Sequence, residues 1–298
     1  MTRAVSELDR QAALSDATAA LARGGIDTAR QDAEWLLASV LGLERFALYL
    51  DVRRTLSPDE AERYRALVAR RAVREPLQHL LGFEDFHGLR LAVSPDALIP
   101  RPETEGLVQW AIEVLRDRPG AIGADVGTGS GAIACALAAA LPDLRVIAVE
   151  RSLGALALAS RNVQAHALSA RVSLLAGNLL DGVRGPLDFV IANPPYLPSG
   201  VIASLAPEVS GFEPREALDG GGDGMMVIRQ LIARAPRALR PGGWLMMEIG
   251  LDQAGPLASL MAAEGFAGIR ARRDLAGVER YIGGRWAEAP VPPPGRTC

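Results

Sequence analysis

Lysine is absent from this chain: all 32 basic residues are arginine. The 35 acidic residues outnumber them, and the net charge is −3 with a pI near 5.8. Nonspecific nucleic-acid binding rests on basic side chains neutralising phosphates, so this balance argues against a nucleic-acid substrate. Two cysteines, Cys135 and Cys298, are too few for a disulfide framework. Cys135 falls in a small-residue apolar stretch, which suits an inert core thiol. The three histidines, His79, His87 and His166, are scattered, and no zinc-ligand spacing occurs. No metal is expected. No apolar run approaches the roughly 18 residues of a membrane span. Met1–Glu7 lacks the apolar core of a signal peptide. The expected compartment is a reducing cytoplasm, with no membrane partner.

What the chain does have is an ordinary globular composition, 49% hydrophobic and 22% charged, in 298 residues. That length suggests two domains. The first part reads as helical. Apolar positions at helical spacing run over 6–22 and stop at Gly24-Gly25. A second helix spans about Asp27 to Leu41, before Gly42. A third opens at Ser57-Pro58-Asp59-Glu60, where Ser57 suits an N-cap and Glu60 a capping box. It carries Arg63, Arg65, Arg70, Arg71 and Arg74, which read as a solvated basic face, with a docking surface for an acidic partner as the less favoured reading.

From Gly82 the pattern changes. Phe83 to Val93 alternates like a hairpin turning near His87-Gly88, and Pro95, Pro100 and Pro102 follow. A stiff linker is expected over 82–100, between a helical domain (1–81) and an α/β domain (101–287). In the latter, strands are expected near 121–126, 144–149, 171–176, 187–192, 243–249, 267–273 and 279–284. Helices are expected near 104–116, 131–140, 153–167, 223–238 and 252–263. Such alternation predicts a seven-stranded, mostly parallel, Rossmann-like sheet covered on both faces. The proline-rich segment 288–298 is expected to be disordered. Residues 197–222 show no clear element and are long for a connection, which suggests function.

Chemistry collects at successive strand ends. Asp125-Val126-Gly127-Thr128-Gly129-Ser130-Gly131 closes one strand and opens a helix. Its glycines let the backbone turn sharply and approach a ligand, with free N–H groups behind them. Nucleotide-binding Rossmann proteins share such loops, but Asp125 suits a ligand bearing a cation better than a pyrophosphate. Glu150 stands nineteen positions after Gly131, at the next strand end, and can accept a ribose's hydroxyls. Asn178 and Leu179 follow the third strand; they suit an adenine edge and face, or simply a turn and a core leucine. Asn193-Pro194-Pro195-Tyr196 follows the strand 187–192. Prolines stiffen this corner and remove donors. Asn193 and the Pro194 carbonyl then become rigid acceptors for the two N–H groups of one NH2, and Tyr196 can lie against that flat group. In a parallel sheet these ends share one rim. Together they describe S-adenosylmethionine beside a clamp for an amide or amine nitrogen.

With these motifs, the chain resembles the glutamine-amide methyltransferases of class I peptide chain release factors, the PrmC/HemK family. The resemblance extends over Leu98-Ile99-Pro100-Arg101-Pro102-Glu103-Thr104-Glu105 and Phe212-Glu213-Pro214-Arg215-Glu216-Ala217-Leu218-Asp219-Gly220-Gly221. It continues through Arg240-Pro241-Gly242-Gly243, Glu248-Ile249-Gly250 and Asp274-Leu275-Ala276-Gly277. The family usually has Asp where this chain has Glu150 and Asn178. The resemblance implies a class I S-adenosylmethionine-dependent fold and methylation of the glutamine in a Gly-Gly-Gln loop. It implies a docking role for the helical domain, and release factors as partners. By the same resemblance, Asn193, Pro194 and Tyr196 are catalytic, and Asn193 to Tyr196 bind the substrate. Asp125, Gly127, Thr128, Gly129, Ser130, Gly131, Glu150, Asn178, Leu179 and Asn193 hold the cofactor. Glu213, Arg215 and Glu216 are read either as contacts to the release-factor loop or as a solvated lid. Glutamine methylation of a ribosomal protein and adenine-N6 methylation of nucleic acid remain the alternatives, with a noncatalytic cofactor-binding module as the reading outside enzymes.

Overall fold

Ser57 opens its helix as the capping box requires. Its hydroxyl accepts from Glu60 N at 3.2 Å, and Glu60 accepts from Ser57 N at 2.8 Å. The structure, a computed structural model, describes residues 9–287. The reading of Met1–Glu7 and the expected disordered tail (288–298) lie outside them. The described chain divides into two compact units, one running to Phe83 with residues 206–212, the other holding the rest.

The first unit contains α1 (Arg10–Arg23), α2 (Ala29–Leu41), α3 (Pro58–Ala72) and α4 (Leu77–Leu81). Sequence reading finds the first three and not the five-residue α4. The core holds Leu21, Leu36, Leu37 and Leu48, all fully buried, each worth about 1.5–3 kcal/mol of burial. Tyr64 is buried among them, and its hydroxyl donates to Ala33 O at 3.0 Å. The basic face of α3 is not simply solvated. Arg71 is 7% exposed and donates to Asp32 at 2.7 Å and to Glu208 at 3.0 Å. Arg74 holds the other Glu208 oxygen at 2.7 Å. The cause is non-local: residues 206–212 pack into this unit and deliver an acid that α3 cannot foreshadow.

The second unit opens with a hairpin, β1 (Phe83–Phe86) and β2 (Leu89–Ala92). His87 and Gly88 both take left-handed backbone, with φ of 48° and 78°, as a two-residue type I′ turn requires. From Glu84 on, the hairpin belongs to this unit. Phe86 and Leu91 are buried in its core. Asn162 bonds to both backbone groups of Ala92, at 2.7 and 3.0 Å, and to Ser130 O at 2.8 Å. One buried amide thus ties the hairpin to the glycine loop.

Beyond it come α5 (Pro102–Leu115), β3 (Ile122–Val126), α6 (Ala132–Ala140), β4 (Arg145–Glu150), α7 (Leu153–Ala165), β5 (Val172–Ala176) and β6 (Leu187–Ala192). Then follow α8 (Pro207–Phe212), α9 (Met226–Ala238), β7 (Leu239–Glu248), α10 (Ala254–Ala263), β8 (Phe266–Arg273) and β9 (Glu279–Trp286). The seven strands β3–β9 form one sheet in the order β5-β4-β3-β6-β7-β9-β8. All pairs are parallel except those of β9 with β7 and β8. This is the expected seven-stranded, mostly parallel sheet. β6 is buried at every position, which explains why its sequence runs apolar without alternation.

Beyond small shifts at element ends, the structure differs from the sequence reading in two places. β7 begins at Leu239 because Leu187 pairs with Leu239 and Phe189 with Trp244, so Arg240–Gly243 bulge inside the strand. Residues 197–222 are not featureless: 3-10 turns at Ser199–Ser204 and Arg215–Ala217 flank α8. Short turns of this kind carry too few residues to show a period. The chain leaves β3 toward β4 and β5, then returns to place β6 on the other side. The crevice at that reversal is where open α/β sheets bind ligands.

Candidate active site

A cavity of about 760 Å³ opens in the second unit at the carboxyl ends of β3, β4, β5 and β6. That size suits a drug-sized cofactor with room for a small substrate group. Its floor is the glycine loop. Gly127 and Gly129 have φ of 70° and 56°, where an L side chain is strained, and a Cβ on Gly127 would meet open space. Gly127, Thr128, Gly129 and Ser130 line the cavity. Gly131 does not. A Cβ there would come 3.2 Å from Ala159 Cβ, so Gly131 serves the packing of α6 on α7.

Asp125 is placed differently from the sequence reading. It is fully buried and does not line the cavity. One carboxylate oxygen accepts from Thr128 Oγ1 at 2.5 Å and from Ala134 N at 3.1 Å. The other has no hydrogen-bond partner among the described residues. Burial pushes this carboxyl up to about 7. Asp125 therefore bonds within the loop and to the start of α6, outside the cavity lining. A residue at a strand end points to one face or the other, and spacing alone does not say which.

Glu150 does line the cavity. Its Oε2 accepts from Gly129 N at 3.0 Å, and its Oε1 from Arg151 N at 2.7 Å and Ser152 N at 2.9 Å. Three of about four acceptor positions are thereby filled. Bidentate capture of a diol requires the Gly129 bond to give way. Asn178 and Leu179 line the same wall. Leu179 has φ 55°, a left-handed conformation that costs a non-glycine residue about 1–3 kcal/mol and clusters at binding sites.

Asn193, Pro194 and Pro195 form the adjoining wall. Asn193 Nδ2 donates to Thr104 Oγ1 at 3.0 Å. Thr104 Oγ1 donates to Glu248 Oε2 at 2.7 Å. Tyr196 OH donates to Glu248 Oε1 at 3.2 Å. Among the described residues nothing donates to Asn193 Oδ1 or to the Pro194 carbonyl. The corner thus presents two unengaged acceptors. Tyr196 is not among the residues that line the cavity; its hydroxyl makes the Glu248 contact. Burial raises the Tyr196 hydroxyl, and the Glu248 charge adds to this. Burial likewise raises Glu248.

Thr104 and Glu248 stand behind this corner, and the sequence reading quotes them in two segments without giving them a role. A carboxylate and a hydroxyl 144 positions apart carry no local signal. Arg101 is a third such residue. It lines the cavity and holds the buried Glu213 at 2.6 Å. Glu213 is therefore engaged inside the protein, and burial raises its carboxyl. Arg215 and Glu216 do reach the cavity rim, paired with Asp219 and Arg151. Among the described residues no cluster of metal-ligating side chains occurs, and no helix is long and apolar enough to cross a membrane.

Two family models match parts of the chain. A family described as the PrmC N-terminal domain matches residues 12–82, and one described as the methyltransferase small domain matches 109–208. The release factor glutamine methyltransferase of Geobacter sulfurreducens is 45% identical over 267 residues, covering 89% of this chain and 92% of that protein. The protein of the same name from Deinococcus radiodurans is 42% identical, covering 92% and 97%. Among solved structures, the catalytic domain of human METTL16 aligns at a TM-score of 0.56 and 20% identity, over 81% of this chain and 85% of that one. At that identity the likeness is one of fold.

Proposed function

This chain belongs to the release factor glutamine methyltransferase family, and we propose that it methylates the glutamine of the Gly-Gly-Gln loop in class I release factors, on the side-chain amide nitrogen. S-adenosylmethionine is the proposed donor; bound, it supplies an electrophilic methyl on a sulfonium. The residues present fit it. Gly127, Thr128, Gly129 and Ser130 offer a close backbone floor, Glu150 one remaining acceptor position on Oε2 for a ribose hydroxyl, and Asn178 with Leu179 a wall for adenine.

One observation carries the reading: Asn193 Nδ2 is tied to Thr104, so Oδ1 is the atom left for a ligand. Beside the Pro194 carbonyl it makes a pair of acceptors matched to one NH2 group. A glutamine amide offers two N–H donors to that pair; a glutamate offers none. The amide lone pair is delocalised and a poor nucleophile, so positioning is the protein's main contribution. The same two acceptors favour positive charge developing on the nitrogen. Asn193 Oδ1 and the Pro194 carbonyl would hold the amide nitrogen toward the donor's methyl. Transfer would exchange the carbon–sulfur bond for a nitrogen–carbon bond, the nitrogen's proton would pass to solvent, and the singly methylated amide and S-adenosylhomocysteine would remain. The helical unit is proposed to grip the release factor away from the glutamine, in the cytoplasm where termination occurs.

The test is to supply methyl-labelled S-adenosylmethionine with a release factor, a ribosomal protein and DNA separately, and to locate the label by mass spectrometry. Label on the Gly-Gly-Gln glutamine is expected. Label on the ribosomal protein or on adenine instead would reassign the substrate, and no label on any would reject the enzyme reading.

A further inference from the structure

We propose that Glu248, acting through Thr104, fixes which end of the Asn193 amide faces the substrate. This rests on the reading that the site holds a glutamine amide.

Thr104 has one hydroxyl proton and gives it to Glu248 Oε2 at 2.7 Å. What remains on that oxygen is lone pairs, so the atom 3.0 Å away on Asn193 has to be the NH2 end. Glu248 in turn accepts from two hydroxyls, those of Thr104 and Tyr196, one on each oxygen. An acceptor with both oxygens so engaged polarises the whole chain in one direction. Glu248 is 1% exposed, so water does not compete for its oxygens. Without an acceptor at position 248, the Thr104 proton turns to the Asn193 amide and favours its oxygen. The amide then rotates and points NH2 into the cavity. A donor facing a substrate NH2 is repulsive; the same donor facing a carboxylate is attractive. Glu248 and Thr104 are positioning residues, and their influence is on the polarity of the clamp as well as on its rigidity.

The experiment uses the full chain with Glu248→Met, Thr104→Val and Thr104→Ser. Each is assayed for methyl transfer to a Gly-Gly-Gln peptide. Binding of Gly-Gly-Gln and Gly-Gly-Glu peptides is measured by calorimetry with S-adenosylhomocysteine present. Glu248→Met and Thr104→Val are each expected to lower kcat at least 30-fold while cofactor Kd stays within about threefold. The Gln-over-Glu binding preference should shrink at least tenfold in both. Thr104→Ser should rescue most of what Thr104→Val loses, because it restores the hydroxyl. The double variant Glu248→Met/Thr104→Val should be no worse than either single, since both break one chain. Thermal melting of each variant separates misfolding from misorientation, and Thr104→Ser keeps the question open to test if Glu248→Met fails to fold. Unchanged peptide preference in folded Thr104→Val, or equal losses in Thr104→Val and Thr104→Ser, would overturn the proposal. If the wild-type protein itself leaves glutamine unmethylated while modifying another substrate, the functional reading fails, and that result is distinct from a wild type that works alongside variants that also work.

Discussion

Replacing Asn193 with alanine removes one of two acceptors from the corner and little else. The asparagine side chain makes a single hydrogen bond among the described residues, to Thr104 Oγ1. Thr104 keeps its stronger bond to Glu248 at 2.7 Å, and its freed lone pair faces a cavity that water can enter. The stability loss should therefore stay near 1 kcal/mol, the net worth of one hydrogen bond. The effect on chemistry is larger. Removing one preorganised group that favours the transition state costs about 2.7–4 kcal/mol, or a factor of about 10²–10³ in kcat. Cofactor affinity should change by no more than a few-fold, because the glycine loop, Glu150 and the Asn178–Leu179 wall are untouched. Single-turnover transfer of labelled methyl, with cofactor binding measured in parallel, reads both quantities. A kcat within tenfold of wild type would refute the clamp, whatever the change in KM.

Asp125 predicts a pH dependence. Its carboxyl, raised by burial from 3.8 to about 7, favours the protonated folded state. The stability from this group is full below about pH 4 and lost as pH climbs through about 7; the gap corresponds to about 4 kcal/mol at most. Between pH 4 and pH 8, urea unfolding should show Asp125→Asn gaining on the wild type, and a constant difference would reject that account. In the helical unit, Arg71→Ala leaves Asp32 buried without its cation and should cost about 3–5 kcal/mol. Arg70→Ala, in a pair whose arginine is 54% exposed, should cost under about 1 kcal/mol, and equal losses would contradict the burial argument. Ser57→Ala should cost about 1 kcal/mol by removing one half of the capping box, measured by the same unfolding experiment.

The central strands of the sheet were legible because they are largely apolar runs closed by a turn residue, and burial writes itself into such runs. β6 is the clearest case: six buried positions read directly as Leu187-Asp188-Phe189-Val190-Ile191-Ala192. The glycine loop and the Asn193–Pro195 corner were legible for a different reason. Both are local backbone devices, and glycine and proline declare backbone conformation without reference to distant contacts. The bulge in β7 was not legible, since it exists only through the pairing of β6 with both ends of Arg240–Gly243.

Side-chain direction and partnership came from the third dimension alone. Asp125 and Glu150 both close strands in the sequence, yet one lies beneath the glycine loop and the other lines the cavity. Tyr196, three residues from Asn193, reaches Glu248 instead of the cavity. Arg71 meets an acid 137 positions away. By itself the chain determined which segments become strands, where the backbone must turn sharply, and where a stiff, donor-poor corner stands. Only the folded arrangement decided that Thr104 and Glu248 stand behind that corner and set its polarity, because hydrogen-bond direction depends on what lies within about 3 Å, and sequence distance says nothing about that.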